Sequence, residues 1–127
     1  MKQIIDIVNI PLIKVRKRLV GYISTNLYYS GIHWSVRNKI KDAWHNTVIE
    51  SIKESNIKQC PYPISITFYW NTRYDLDNNG IMRKMIIDSL VLSGIIIDDT
   101  KKYIKRITEE LTEEKLIRVI IQKFKEL

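Results

Sequence analysis

Ile64-Ser-Ile-Thr-Phe-Tyr-Trp70-Asn-Thr-Arg-Tyr-Asp75-Leu-Asp77 alternates apolar and polar side chains with a period of two. Ile64, Ile66, Phe68, Trp70, Tyr74 and Leu76 take the even positions, and Thr72 alone departs. Ser65, Thr67, Tyr69, Asn71, Arg73, Asp75 and Asp77 take the odd ones. That period belongs to a strand with one face in a core. A strand held to the end of the stretch projects Arg73, Asp75 and Asp77 from its polar face, while Leu76 anchors the opposite side.

Downstream, Ile81 to Ser93 reads as a helix with Gly94 as its C-cap. Lys84 and Asp88 are four residues apart and so share a helix face. Ile95 to Ile97 is a short buried run, and Asp98-Asp99-Thr100 is the loop after it. Tyr103–Thr108 and Leu116–Phe124 read as strands joined through Thr112-Glu-Glu114 into a C-terminal hairpin. Upstream, the β-branched run Gln3–Ile10 reads as a strand closed by Pro11. The basic run Lys14-Val-Arg-Lys-Arg18 is an extended edge or a mobile arm, and Leu19–Ile23 a second short strand. Residues 24–34 read as an ordered loop, with Ser35 as N-cap of a helix to about Glu54. That helix repeats apolar residues at Val36, Ile40, Ala43/Trp44, Thr47/Val48 and Ile52. Asn56 and Pro61-Tyr-Pro63 mark its exit. These elements predict one α+β domain over residues 1–127: a mixed or antiparallel sheet of about four strands with two main helices packed on it. Trp44 and Trp70 fall on apolar faces and are assigned to the core.

Composition narrows the function classes. Hydrophobic residues make up 45% of the 127, enough for a real core. Cys60 is the only cysteine, which excludes an intramolecular disulfide and a cysteine zinc site and fits a cytoplasmic setting. His33 and His45 are too isolated for a zinc site. No secretory signal is read at Met1–Ile10. The longest uncharged stretch, Leu19–Val36, is too polar to span a membrane. Residues 1–60 hold 10 Lys/Arg against 4 Asp/Glu, residues 61–100 hold 3 against 5, and residues 101–127 hold 8 against 5. The acidic centre thus lies between basic flanks in a chain of net charge +7, as expected if phosphates are attracted around a metal site; the bland alternative is ordinary solvated lysine.

Five aspartates (75, 77, 88, 98 and 99) fall within 25 residues. Two carboxylates ~5 Å apart at an effective dielectric of ~20 repel by about 3 kcal/mol. Such groups stay apart, take up protons, or bind a cation. Asp75-Leu-Asp77-Asn-Asn79-Gly80 matches the first six positions of an EF-hand loop, but the twelfth is Ile86 where that motif needs a bidentate Glu. The bland reading is a polar Asn-Gly turn with surface carboxylates.

The set Asp75-Leu-Asp77-Asn78, Lys84, Asp88-Ser-Leu90 and Gly94-Ile-Ile-Ile-Asp98-Asp99 resembles the RusA family of Holliday junction resolvases of bacteria and phages. The resemblance is close over residues 74–102 and loose over 20–105, where Asn26-Leu-Tyr-Tyr29 precedes a basic helix as in phage-type members. Lys84 lies seven residues after Asp77, as though three residues were inserted around Asn79-Gly80-Ile81. Its distance from Asp88 suits the family, so Lys84 is aligned with the family's lysine, and Arg83 is the rival cation.

The resemblance implies a Mg²⁺-dependent endodeoxyribonuclease that resolves four-way DNA junctions by paired phosphodiester hydrolysis in recombination and repair. By position, Asp75, Asp77 and Asp99 match the Mg²⁺-binding aspartates and Lys84 the essential lysine, with Asp88 and Asp98 in a second tier. Mn²⁺ is expected to substitute for Mg²⁺, and no small-molecule cofactor is expected. A homodimer is implied, with two sites related by a twofold axis. Lys14, Arg16, Lys17, Arg18, Asn26, Arg73, Arg83, Lys101, Lys102, Lys105 and Arg106 are the candidate DNA contacts. Tyr28-Tyr29 and His33-Trp34 are base stackers or core aromatics. The rival functions are a non-catalytic protein binding branched DNA with the same fold, and a metal-regulated binding module resting on the partial EF-hand match.

Overall fold

A computed structural model describes residues 5–10, 13–15, 18–20, 34–71, 80–114 and 116–125. The described elements run β1 (Ile5–Ile10), β2 (Ile13–Val15), β3 (Arg18–Val20), α1 (Trp34–Glu54), β4 (Ile64–Trp70), α2 (Gly80–Leu92), β5 (Ile104–Leu111) and β6 (Ile117–Lys123). Four strands form one mixed sheet in the order β1-β6-β4-β5, and β2 and β3 pair separately as an antiparallel hairpin. The expected α+β class, a four-stranded sheet with two helices, describes this architecture.

β4 is the hinge of the design. Its even residues Ile64, Ile66, Phe68 and Trp70 are wholly buried and its odd ones half-buried. Phe68 and Trp70, two apart on one face, stack with ring centroids 5.2 Å apart. Ile66 and Phe68 lie opposite Ile121 and Val119 of β6, both buried. This apolar face meets Trp44, Val48 and Ile52 of α1 and Met82, Met85, Ile86 and Leu90 of α2 in one core cluster. Helices therefore cover one face of the sheet. Buried hydroxyls in both helices donate back one turn, Ser51 to the Thr47 carbonyl (2.8 Å) and Ser89 to the Met85 carbonyl (2.8 Å). Neither leaves an orphan donor in the core.

Both helices end on left-handed residues. Asn56 has φ 53° and closes α1. Gly94 has φ 74°; its N–H donates to the Val91 carbonyl (3.0 Å) and the Ile95 N–H to the Leu90 carbonyl (3.0 Å). That pair of bonds is the Schellman arrangement, with Leu90 and Ile95 both buried beside it.

The structure corrects several expectations. Thr112–Glu114 does not close a C-terminal hairpin: β5 and β6 lie on opposite sides of β4, β5 parallel and β6 antiparallel to it. The connection crosses the end of β4, where the Thr112 N–H donates to the Trp70 carbonyl (2.9 Å) and Asn71 Nδ2 to the Thr112 carbonyl (3.0 Å). Two strand spacings, about 10 Å, are within reach of so short a segment. Charge sorts the strands: Lys105, Arg106, Glu109 and Glu110 suit β5 to an edge, whereas β6 carries the buried Ile117, Val119 and Ile121. β4 ends at Trp70, so the described strand does not reach Asp75 or Asp77. Ser35 lies inside α1, which begins at Trp34. Ile97 is exposed, unlike Ile95 and Ile96. The basic run at Lys14–Arg18 divides between β2 and β3.

Candidate active site

The parallel β4–α2–β5 crossover builds a cleft of about 720 Å³ between α2 and the start of β5. Gly80, Ile81, Arg83, Lys84, Ile87 and Asp88 form the helix wall, and Asp99, Lys101, Ile104, Lys105, Arg106 and Ile107 the strand wall. Lys84, exposed, and Asp88, half-buried, sit one helical turn apart. Asp99 reaches the opposite wall because the chain is pinned on both sides of it. Upstream, the Cys60 N–H donates to the Ile95 carbonyl (2.7 Å) and Cys60 bridges to Ile96. Downstream, the Thr100 carbonyl accepts from both Tyr103 and Ile104 N–H groups (3.0 Å each), and the Ile64 N–H donates to the Tyr103 carbonyl (2.8 Å).

The cleft walls carry five basic side chains (Arg83, Lys84, Lys101, Lys105, Arg106) against two carboxylates (Asp88, Asp99). A surplus of cations in a concave site draws anions. Arg83 is already engaged, in an ion pair with Glu109 of β5 that ties the two walls together. Glu109 lies in register with Phe68 on the helix-covered face, and its side chain is only 17% exposed. A carboxylate there needs a partner, and Arg83 supplies it. Among the described residues no ion pair involves Lys84. Arg106 also lies over the Phe124 ring, its guanidinium carbon 5.6 Å from the centroid.

Of the site residues expected from the sequence, Arg83, Lys84, Asp88, Asp99, Lys101, Lys105 and Arg106 converge on this cleft. Asp98 is exposed and turned into its own loop, accepting the Asp99 N–H at 2.8 Å. Lys102 lies off the cleft, over the Tyr103 ring at 5.4 Å. Asn26, Arg73, Asp75 and Asp77, with Arg16 and Lys17, lie outside the described residues, as do Tyr28, Tyr29 and His33. Lys14 and Arg18 are placed by their backbones in the β2–β3 hairpin. Among the described residues no three His, Cys, Asp or Glu side chains gather as a metal-binding group. The two carboxylates on the cleft are hard oxygen donors, the type Mg²⁺ takes. His45 approaches the Ser89 hydroxyl at 3.4 Å, but that hydroxyl donates to the Met85 carbonyl and is not held as a nucleophile.

Glu109 and Asn71 were not singled out in the sequence. Arg83 and Glu109 are 26 residues apart, and only the crossover brings them together. The one local signal for Glu109 is a charge on what proves to be the core-facing parity of β5. No helix among the described residues is long and apolar enough to cross a membrane. Neither a protein-family model nor a curated protein matches the chain.

Proposed function

We propose that this chain is a Mg²⁺-dependent endodeoxyribonuclease of the RusA type, a homodimer that hydrolyses phosphodiesters in branched DNA such as four-way junctions. The observation that carries the reading is the meeting of Lys84, Asp88 and Asp99 in one basic cleft. They come from two walls and are separated in sequence, yet they are members of the same motif set. Asp75 and Asp77 complete that set. Asp77 precedes the cleft residue Gly80 by three positions, so the covalent chain limits their Cα separation to about 11 Å.

Asp75, Asp77 and Asp99 would hold the cation, with Asp88 in support. Mg²⁺ held there would supply Lewis acidity for attack on the phosphate. The Lys84 ammonium stabilises negative charge that develops on the phosphoryl oxygens. Asp88 stands one turn along the helix from Lys84 on the same cleft wall. Arg83, held by Glu109, braces the walls and leaves the catalytic cation's role to Lys84. Lys101, Lys105 and Arg106 attract the DNA backbone without reading its sequence. A reducing, cytoplasmic setting accords with Cys60, the single cysteine of the chain, which is buried.

The test is nicking of a synthetic four-way junction in Mg²⁺ by the unmodified chain, Asp99→Asn and Lys84→Ala. Both variants are expected to bind the junction and to nick at least ~100-fold more slowly. Salt-sensitive binding with no nicking by the unmodified chain in Mg²⁺ or Mn²⁺ would reassign it as a non-catalytic branched-DNA-binding protein. Equal nicking by all three would remove the cleft from the reaction.

A further inference from the structure

Ile104 and Ile107 of β5 lie three residues apart, a spacing that sends side chains to opposite faces of a regular strand. Here both take the helix-covered face. Ile104 pairs with Ile64 and Ile107 with Ile66 of β4, whose even residues are the buried ones. A register shift between the two makes this possible. Ser65 pairs with Arg106, so Lys105 is an extra residue with no partner in the ladder. Such a one-residue bulge re-aims the side chains beyond it, and bulges gather beside functional sites. Without it Ile107 would face away from α2.

The cleft therefore presents two chemistries at once. Ile81 and Ile87 of α2 line it and are almost wholly buried, Ile104 is half-buried, and Ile107 is 44% exposed. Around these isoleucines stand Lys84, Lys101 and Lys105, all exposed. Phosphate attraction accounts for the lysines, and the core accounts for Ile81 and Ile87. Neither accounts for Ile107, an exposed apolar side chain inside a cationic cleft. A continuous duplex brings phosphates and sugars to such a surface and keeps the flat faces of its bases stacked inside. An unpaired nucleotide brings both an anionic phosphate and a flat apolar ring face. The volume of about 720 Å³ lies within the range of about 300–1,000 Å³ found for sites that enclose a small ligand.

We infer that the cleft takes one unpaired nucleotide of a DNA strand, its base laid on Ile104 and Ile107 and its phosphate held by Lys84, Lys101 and Lys105. Apolar side chains hold bases drawn out of a stack in this way. An isoleucine side chain has no hydrogen-bonding group, so the floor accepts any base and selects for the unpaired state instead of for sequence. The substrates favoured are branched DNAs with an unpaired nucleotide at the branch, over continuous duplex. Ile104 and Ile107 thereby become base contacts, a role that rests on the DNA reading of the cleft but that phosphodiester hydrolysis itself does not require.

Two synthetic duplexes of one sequence test this, one fully paired and one with a single unpaired 2-aminopurine nucleotide in one strand. Binding to the full chain is followed by anisotropy in EDTA and again in Ca²⁺, so that Mg²⁺-dependent nicking does not enter the reading. The duplex with the unpaired nucleotide is expected to bind about tenfold more tightly. Its 2-aminopurine fluorescence is expected to rise as the base leaves the neighbours that quench it. Ile107→Ser, and the better strand former Ile107→Thr, are expected to lose the preference and keep their affinity for the paired duplex. Ile107→Val is expected to keep both. Leu111→Ser removes a more exposed apolar residue of the same strand, 61% exposed and off the cleft, and is expected to change neither. Equal affinity of the unmodified chain for the two duplexes overturns the assignment, as does unchanged fluorescence at saturation. A Ser or Thr variant at position 107 that folds by circular dichroism and retains the full preference does the same. Binding both duplexes alike removes only the unpaired nucleotide and leaves the nuclease reading standing. Binding neither, in EDTA or Ca²⁺, removes DNA from the cleft and brings down both.

Discussion

Replacing Gly94 by alanine isolates a backbone effect that sets the path toward Asp99. At φ 74° an L residue suffers the left-handed penalty, about 1–2 kcal/mol. No atom lies within 4 Å of where the new Cβ would sit, so no steric term is added. Alanine also narrows the unfolded ensemble, which returns about 0.4–1 kcal/mol. The expected net loss is therefore about 1 kcal/mol. With a urea slope of ~2 kcal/mol/M, the unfolding midpoint falls by about 0.5 M. Equilibrium urea unfolding followed by tryptophan fluorescence reads this directly. Gly94→Asn should lose less, because asparagine tolerates the left-handed region. Ser93→Ala, at an exposed position beside it, should stay within about 0.5 kcal/mol. An unchanged or raised midpoint for Gly94→Ala would refute the reasoning, since it would mean that the Schellman cap between Leu90 and Ile95 does not hold the chain in that conformation.

A double-mutant cycle on Arg83→Ala and Glu109→Ala should give a coupling of about 1 kcal/mol, small because the Arg83 side chain is 35% exposed. A coupling near zero in thermal or urea unfolding would show that the pair does not brace the cleft. In junction binding, Lys101→Ala and Lys105→Ala should each lower the salt slope by about one while weakening all DNA sequences alike. Titrations at several salt concentrations check this, and a change confined to one sequence would mean base readout instead of phosphate contact.

The charged part of the site was legible because its members lie on short-period elements. Lys84 and Asp88 share a helix face through a spacing that any α-helix imposes, and Gly94 announced its own cap. Asp98 and Asp99 are neighbours in sequence, yet they diverge. Asp98 turns to the backbone of its own loop, whereas Asp99 faces the cleft, because Cys60 and Thr100 fix the chain on either side. Nor do local patterns separate Arg83 from Lys84: adjacent helix positions look alike, and only Glu109, brought from β5, distinguishes them by pairing with Arg83.

By itself the sequence determined the elements: the period-two burial of Ile64–Trp70, the helical repeat through Trp44, Val48 and Ile52, and the breaks at Asn56 and Gly94. These depend on side-chain alternation and backbone sterics within a few residues. Strand order was decided only in the tertiary structure. Thr112–Glu114 suits a hairpin as well as a crossing, and the choice followed from which strand could bear burial on both sides. β6, with Ile117, Val119 and Ile121, entered the sheet, while β5, carrying four charges, took the edge. That choice set α2 against an exposed strand, and the cleft lies between them.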